Sequence, residues 1–320
     1  MEFIGHARFM SVDDTTLHWV ERGQGRPLVL LHGLSDSHRT WRRVVPQLAS
    51  RRRVLMLDLP GHGLSGRPDA SYGLDWQARV VARWLDALGI DELELVGHSY
   101  GGGVAQQLLL HRAPSIRRLA LVSSGGLGRE VSVSLRLMAI PWLESMVQPF
   151  MRVGTRIALA SSFAASFDPR DKEFLTWANS APGSGRALSR TVRGVIGPWG
   201  QTRCFLDRVH EVPNLPPIEL YWGTRDPVIP AHHGLRAASM MRNVRLVRFP
   251  GCGHFPHLER PHDFVGALTE FLETEARRAT IAVPPALPRK RSWFSRALGW
   301  AGRLFKRLSG SSPRVASSPA

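Results

Sequence analysis

The 320-residue sequence has few cysteines, almost no lysine and no long apolar run. Its two cysteines, Cys204 and Cys252, are too few for a disulfide framework or a cysteine-based metal site, which favours a reducing compartment. No run approaches the roughly 18–20 apolar residues that span a bilayer. The N-terminus lacks a basic segment followed by an apolar one, so we expect no secretory signal. These absences predict a cytoplasmic protein, and no residue pattern predicts a metal or a cofactor.

Acidic residues are missing from the last part of the chain. The net charge is +16, and residues 280–320 supply half of it. Their basic residues are Arg289, Lys290, Arg291, Arg296, Arg303, Lys306, Arg307 and Arg314. The remainder is mildly basic and contains no nucleic-acid-binding motif, so we expect no nucleic-acid partner.

Short apolar runs alternate with helical patterns through most of the chain. After two short strands within residues 3–22, strands are predicted over 28–31, 53–58, 93–97, 116–122, 218–222 and 244–249. Helices are predicted over 40–48, 75–88, 231–241 and 261–277. Continuous apolar strands are typical of parallel sheets that are buried on both faces. The sequence therefore predicts an α/β fold with a doubly wound, mostly parallel sheet of eight strands.

One serine lies where a predicted strand turns into a helix. Between the apolar residues 93–96 and the helical pattern of 104–110 runs Gly97-His98-Ser99-Tyr100-Gly101. In the pattern G-x-S-x-G, the glycines let neighbouring segments approach a sharply turned serine, whose hydroxyl is then exposed. The following amide, at the start of the helix, can face a developing oxyanion. The alternative interpretation is a structural glycine-rich turn.

A serine hydroxyl needs a basic partner, and that base needs an orienting carboxylate. Ligands of open α/β sheets bind beyond the carboxyl ends of the strands, so we look for an acid and a histidine there. Asp226 follows the predicted strand 218–222, and His254 follows 244–249. The alternatives are Asp207 as the acid, or purely structural roles in which Asp226 belongs to a turn and His254 to a loop.

Four motifs occur together in this order. They are His32-Gly33, Asp58-Leu-Pro-Gly-His-Gly-Leu-Ser65, the turn at Ser99, and Gly-Thr-Arg-Asp226 with Gly-Cys-Gly-His254. With these motifs, residues 3–277 resemble the α/β-hydrolase superfamily, specifically its serine hydrolases with a helical cap.

The resemblance implies a role for each candidate residue. Ser99 would be the nucleophile, His254 the general base and then acid, and Asp226 the acid that orients it. The amides of Leu34 and Tyr100 would form the oxyanion hole. The remaining motif residues would be supporting: Asp58 and His62 hold the loop after the fourth strand, His32 shapes the oxyanion loop, and His98 packs beside the turn.

The resemblance also divides the chain into domains. Residues 1–126 and 206–279 would form the α/β-hydrolase core, and residues 127–205 an inserted helical cap. Six aromatic residues of this cap either line an acyl pocket or pack its helices: Trp142, Phe150, Phe163, Phe167, Trp177 and Trp199.

The expected reaction is cleavage of a carboxylic ester with a lipophilic acyl or alcohol part, since the cap is apolar. Haloalkane dehalogenases and epoxide hydrolases resemble this chain but use an aspartate nucleophile, so Ser99 argues against both. Hydrolysis of a carbon–carbon bond, as in ring-cleavage-product hydrolases, uses the same triad and is the alternative. A non-catalytic binding protein on the same scaffold is the alternative from another class.

The last residues form a separate feature. A proline-rich linker, 282–288, precedes residues 289–308, in which apolar residues share one helical face and basic residues occupy much of the remainder. This pattern favours an anionic membrane surface, so the protein is expected to be cytoplasmic, with peripheral attachment at the inner membrane as a further expectation. The alternatives are docking on the hydrolase body and disorder; residues 309–320 are expected to be disordered.

Overall fold

The computed structural model describes residues 5–139, 147–161, 165–241, 244–274 and 279–280. Its strands are β1 (His6–Val12), β2 (Thr15–Arg22), β3 (Arg26–Leu31), β4 (Arg52–Asp58), β5 (Leu93–His98), β6 (Ile116–Val122), β7 (Ile196–Gly197), β8 (Gly200–Gln201), β9 (Asn214–Leu215), β10 (Ile218–Gly223), β11 (Val244–Phe249) and β12 (Ala279–Thr280). Its α-helices are α1 (Val45–Leu48), α2 (Leu74–Ala87), α3 (Tyr100–Arg112), α4 (Val133–Leu137), α5 (Met151–Ala160), α6 (Pro169–Ala178), α7 (Ser184–Val195), α8 (His232–Met240), α9 (Pro256–Glu259) and α10 (Pro261–Glu273). Short 3-10 turns cover His38–Trp41, Ala113–Ser115, Gln148–Phe150, Phe205–Asp207 and Val209–Glu211.

Eight strands form the main sheet, in the order β1-β2-β4-β3-β5-β6-β10-β11. Strand β2 pairs antiparallel with both β1 and β4, and every other pairing is parallel. The predicted doubly wound, mostly parallel eight-stranded sheet is thus confirmed. Because β3, β5, β10 and β11 run parallel, the segments that follow them emerge at one edge of the sheet.

Apolar side chains cover both faces of this sheet. Alternate residues of β3 enter different clusters, Val29 and Leu31 on one side and Leu28 and Leu30 on the other, and all four are fully buried. The first cluster includes residues of α2 and α3, and the second includes residues of α1 and α10. Burying each such side chain stabilises the fold by about 1.5–3 kcal/mol, which explains the unbroken apolar strands.

Two predicted helices differ from those observed. The helix expected over 40–48 is a 3-10 turn at His38–Trp41 followed by α1. Pro46, near the start of α1, has no N–H to donate to the preceding turn, so a continuous helix cannot pass through it. The last core helix, expected over 261–277, ends at Glu273, because Thr274 has an extended backbone conformation.

The segment between β6 and β10 contains α4 to α7 and the small β7–β8 hairpin. The division into a core and a cap is not tested by this arrangement and stays a prediction. Within the described residues, none of the helices combines the length and the apolar character that a membrane span requires. Residues 289–308, the predicted basic amphipathic helix, lie outside the described residues.

Candidate active site

Ser99 occupies a strained turn between β5 and α3. Its backbone has a φ of 51° and a ψ of −114°, a conformation that costs a non-glycine residue about 1–3 kcal/mol. Hydrogen bonds hold the turn in place: the Ser99 N–H donates to the Val122 carbonyl at 2.9 Å, and the Ser99 carbonyl accepts from the Gly125 N–H at 3.0 Å. The turn is therefore fixed to the end of β6, and Ser99 is half-buried.

The glycines around Ser99 are required by close approach of the backbone. A Cβ atom on Gly97 would lie 2.6 Å from the Gly101 carbonyl oxygen, and one on Gly101 would overlap the carbonyl oxygens of Leu31 and His32. A Cβ on Gly33 would come within 3.3 Å of the Ser99 Cβ. The loop after β3 thus lies against the serine. At both glycine positions of the G-x-S-x-G motif, a side chain would overlap the neighbouring backbone.

Asp226 and His254, which follow neighbouring strands, are hydrogen-bonded to each other. The His254 Nδ1–H donates to Asp226 Oδ2 at 2.8 Å, and both side chains are almost completely buried. The other carboxylate oxygen of Asp226 accepts the N–H groups of Val228 at 2.8 Å and Ile229 at 3.0 Å. The Asp226 carboxylate therefore fixes both the orientation and the tautomer of the His254 ring.

His98, which directly precedes Ser99, packs against the ring of His254 and so connects it to the serine turn. The two ring centroids are 4.9 Å apart, and the His98 Nε2–H donates to the His254 carbonyl at 3.0 Å. Burial lowers the pKa of His98 well below its usual value, so its ring is neutral and packs at the turn. Among the described residues, no hydrogen bond joins the Ser99 hydroxyl to the His254 ring. In unliganded active sites such bonds are often long and shorten only when substrate binds.

The two amides expected at the oxyanion hole are unused within the part of the chain that the structure describes. Neither the Leu34 N–H nor the Tyr100 N–H donates to a described residue. Tyr100 is the first residue of α3, where an N–H has no partner inside the helix. Both groups are therefore available to an anionic oxygen.

His32 connects the Leu34 loop to the loop after β4. Its Nδ1–H donates to the Gly33 carbonyl at 2.7 Å, and its Nε2 accepts the Leu59 N–H at 3.0 Å. Burial lowers the pKa of His32 to about 4, which keeps Nε2 free to accept. A protonated ring would break this connection.

Asp58 is the centre of a buried network that sequence reasoning found only in part. Its carboxylate accepts the Leu64 N–H at 2.9 Å, the His18 Nδ1–H at 2.8 Å and the backbone N–H of His38 at 2.6 Å. The neighbouring histidine rings hold the pKa of Asp58 well below its usual value, despite a burial that acts in the opposite direction. His18 and His38 had no recognisable signal, because they are distant in sequence and belong to different motifs.

Glu259 is a second supporting residue that the sequence did not reveal. Its carboxylate accepts the Gly253 N–H at 2.8 Å and the Phe255 N–H at 3.2 Å, so it holds the chain on both sides of His254. An acid within the first turn of a helix that directly follows the histidine loop is the signal that could have found it.

The segment between β6 and β10 is tied to the loop that carries Leu34. Arg39 and Arg42 bind Asp171 on α6 and Asp168, which caps the start of that helix, at distances of 2.8 to 3.2 Å. At the end of α6, the Asn179 Nδ2–H donates to the Ser35 carbonyl at 2.8 Å. Movement of α6 would therefore act directly on the residue next to Leu34.

Two groups of described side chains carry metal-ligand chemistry, and neither is a convincing metal centre. In the first, His18, His38 and Asp58, hydrogen bonds already occupy the carboxylate oxygens. In the second, Glu130, His232 and His233, the buried His233 Nδ1 has no partner. A metal-binding histidine normally donates from its second nitrogen, and the described neighbours of His233 offer no acceptor for it.

The six aromatic residues of the predicted cap fall into different classes. Phe167 is buried, whereas Phe150, Trp177 and Trp199 are exposed. Trp142 and Phe163 lie outside the described residues. The runner-up acid, Asp207, is exposed in a 3-10 turn, and no contact joins it to His254 among the described residues.

Comparisons with known proteins identify the family. A sequence profile for the alpha/beta hydrolase fold matches residues 26–261. An uncharacterized protein of Mycobacterium tuberculosis is 33% identical over 262 residues, which cover 79% of this chain and 76% of that protein. The 2-hydroxymuconate semialdehyde hydrolase of Pseudomonas sp. (strain CF600) is 29% identical, with coverages of 84% and 93%.

A solved structure gives the same result. The esterase RhEst1 from Rhodococcus sp. superposes with a TM-score of 0.66 at 26% identity and covers 84% of this chain and 98% of its own. The profile spans well over half of the sequence. The structure contains the eight-stranded sheet and, at the carboxyl ends of its strands, the strained serine turn and the neighbouring loops. The chain belongs to the alpha/beta-hydrolase family, and it is a hydrolase.

Proposed function

We propose that this protein is a serine hydrolase that cleaves a carboxylic ester with a lipophilic acyl or alcohol part. The observation that carries the proposal is the buried Asp226–His254 pair beside the strained turn of Ser99. A serine in that position, with a base held in one tautomer, is the arrangement that acyl transfer requires.

The proposed reaction has two steps. His254 Nε2 takes the proton of the Ser99 hydroxyl as Ser99 Oγ attacks the ester carbonyl, and the Leu34 and Tyr100 amides donate to the oxygen that becomes negative. His254 then gives the proton to the departing alcohol, which leaves an acyl group on Ser99. Water, activated by His254, releases the acid and restores the serine. Each amide donor of this kind is worth about 2.7–4 kcal/mol in the transition state.

The test is covalent labelling with a fluorophosphonate together with turnover of p-nitrophenyl esters of graded chain length. The wild-type protein should be labelled and active, and Ser99→Ala should lose both. Ser123→Ala, at the end of the neighbouring strand, is the matched control. Full labelling of the Ser99→Ala chain would overturn the assignment.

Hydrolysis of a carbon–carbon bond is the second candidate function. It is favoured by the similarity to 2-hydroxymuconate semialdehyde hydrolase and by a second relative at 29% identity, 2-hydroxy-6-oxo-2,4-heptadienoate hydrolase. A panel that contains p-nitrophenyl esters, monoacylglycerols and a dienone-type carbon–carbon substrate separates the two functions. The ester proposal requires the higher kcat/KM on an ester.

A non-catalytic binding protein is the alternative from another class. It predicts that pure wild-type protein neither reacts with the fluorophosphonate nor hydrolyses any member of the panel.

Residues 289–308 carry a further proposal, which rests on their sequence pattern. We infer that this basic amphipathic stretch attaches the protein to an anionic membrane surface. Co-sedimentation with anionic vesicles should fall when these residues are deleted, and equal binding with and without them would contradict the inference.

A further inference from the structure

The segment between β6 and β10 carries large apolar side chains on its outside. Eight of the eleven large hydrophobic residues that are exposed in the described chain lie between residues 133 and 199. They are Val133, Leu137, Met138, Phe150, Val153, Ile157, Trp177 and Trp199. Scattered exposed apolar residues are ordinary, but an exposed apolar patch marks a surface that binds a protein, a membrane or a ligand.

Helix α5 shows this arrangement most clearly. Met151 and Leu159 are buried on the side that faces the protein. Phe150, Val153 and Ile157 follow one another at spacings of three and four residues and are 65%, 58% and 68% exposed. At 100° per residue they fall within an arc of about 60°, on the side opposite the buried one. We call these three residues the outer stripe.

The two charged residues of α5 itself are both positive. Arg152 and Arg156 lie one turn apart on α5 and are both exposed. Helix α5 contains no acidic residue. The exposed side chains of this helix are therefore apolar or basic and none is acidic, while Met151 and Leu159 are buried on its other side.

Charge decides which occupant fits this surface. A second copy of the chain would bring the same arginines together. Residues 289–308 carry basic and no acidic side chains, so they would also be repelled. An anionic lipid surface offers an apolar interior for the stripe and negative headgroups for the arginines.

We propose that the outer stripe of α5 docks on an anionic lipid surface, with Phe150, Val153 and Ile157 entering the interface and Arg152 and Arg156 among the headgroups. A single weak anchor gives only marginal, reversible membrane binding, and a second contact makes the attachment stable. The outer stripe supplies one and residues 289–308 the other. The proposal does not depend on the chemistry assigned to Ser99.

The experiment places an environment-sensitive fluorophore in the stripe of the full-length chain. Gly154 lies between Val153 and Ile157, and a Cβ atom there meets nothing within 4 Å, so a label is tolerated. The half-buried Cys204 is replaced by serine, and Gly154→Cys is labelled with a nitrobenzoxadiazole dye. The matched control carries Leu235→Cys on α8, an apolar position that is 49% exposed.

The expected result is a blue shift at position 154 with vesicles of equal phosphatidylglycerol and phosphatidylcholine. Phosphatidylcholine vesicles should give no shift, and neither should the label at position 235. The triple substitution Phe150→Ser, Val153→Ser and Ile157→Ser should weaken vesicle binding about tenfold or more. Each of Arg152→Gln and Arg156→Gln should weaken it about fivefold, and Leu235→Ser should leave it unchanged.

Three results would overturn the proposal. The first is a label at 154 that keeps a water-like emission while the protein is bound to anionic vesicles. The second is a blue shift without vesicles that grows with protein concentration, which assigns the stripe to a second copy. The third is a blue shift without vesicles that disappears when residues 289–308 are deleted, which assigns it to that segment.

Discussion

At the carboxyl edge of the sheet, polar side chains are buried and paired, whereas in the segment between β6 and β10 large apolar side chains are exposed. Asp58, Asp226 and His254 have nearly inaccessible side chains. Asp58 accepts from His18, and Asp226 accepts from His254 and from a backbone N–H group. Phe150 and Ile157, by contrast, expose about two thirds of their surface. In the functions that we propose, the first region orients charged groups before the reaction, and the second offers apolar surface to a lipid phase outside the protein.

The two regions are therefore expected to control different properties: the edge of the sheet controls the reaction, and α5 controls docking at a membrane. A buried network tolerates little change, because the low dielectric that strengthens its hydrogen bonds also makes an unpaired buried polar group costly. An exposed stripe tolerates change without loss of fold. Substitutions that affect activity or stability should therefore concentrate at the edge, and substitutions that affect docking should concentrate on α5.

The largest expected effect is on turnover. Asp226→Asn should reduce kcat on a p-nitrophenyl ester by about 10⁴-fold, because the amide no longer holds His254 in the required tautomer. The fold should persist, since the Asn oxygen still accepts the Val228 and Ile229 N–H groups. The exposed Asp207, changed to Asn, is the matched control and should retain full activity. If Asp207→Asn lost activity and Asp226→Asn kept it, Asp226 would not be the acid that orients His254.

The next effect is on stability. Asp58→Asn should lower the free energy of unfolding by about 3–5 kcal/mol, because it leaves buried N–H groups facing an amide nitrogen. Val153→Ser, in the outer stripe, should change it by less than about 0.5 kcal/mol. Urea unfolding of both variants measures the contrast. Equal losses of unfolding free energy in the two variants would mean that α5 is packed as tightly as the sheet edge, which would contradict the contrast between the two regions.

A pH dependence should come from the same edge. Burial lowers the pKa of His32 to about 4 and of His62 and His257 to about 3, and it lowers that of His98 well below the usual value. Unfolding raises these pKa values to about 6.5, so the unfolded chain binds more protons and stability falls as pH drops below 6.5.

One acid opposes this trend. Burial raises the pKa of Asp36 to about 7, so this carboxyl holds a proton in the folded state that the unfolded chain releases above about pH 4. With four histidines against one acid, the free energy of unfolding should fall by roughly 3 kcal/mol between pH 6.5 and 5.5. Urea midpoints at pH 6.5, 6.0 and 5.5 measure this. A constant or rising stability over that range would contradict it.

The smallest effect concerns the connection between the two regions. Asn179→Ala removes the hydrogen bond to the Ser35 carbonyl, and Ser35 has a positive φ of 55° next to Leu34. Looser placement of the Leu34 amide should lower kcat by about threefold to tenfold and affect KM less. Ser180→Ala, which removes a hydroxyl that donates to the Thr176 carbonyl on α6, is the control. An effect on KM alone would show that α6 binds substrate and does not position the loop.

The sequence by itself determined the eight-stranded sheet and which strands are followed by the candidate site residues. A four-residue apolar run such as Leu28–Leu31, bounded by Pro27 and Gly33, is too short for a buried helix and favours a strand that is buried on both faces of a sheet. The glycines beside Ser99 restrict the backbone locally, so they could be interpreted without neighbours. Asp226 and His254 could be selected because the carboxyl ends of parallel strands meet at one edge.

Only the tertiary structure decided which distant groups support these residues and which surfaces stay open. His18, His38 and Glu259 act through contacts between segments that are far apart in sequence or in different elements, and no local pattern encodes such contacts. Phe150 and the apolar residues of α5 have a helical spacing that predicts two apolar sides but not which side is buried. Burial depends on the packing of the whole chain, and it placed Phe150, Val153 and Ile157 on the outside.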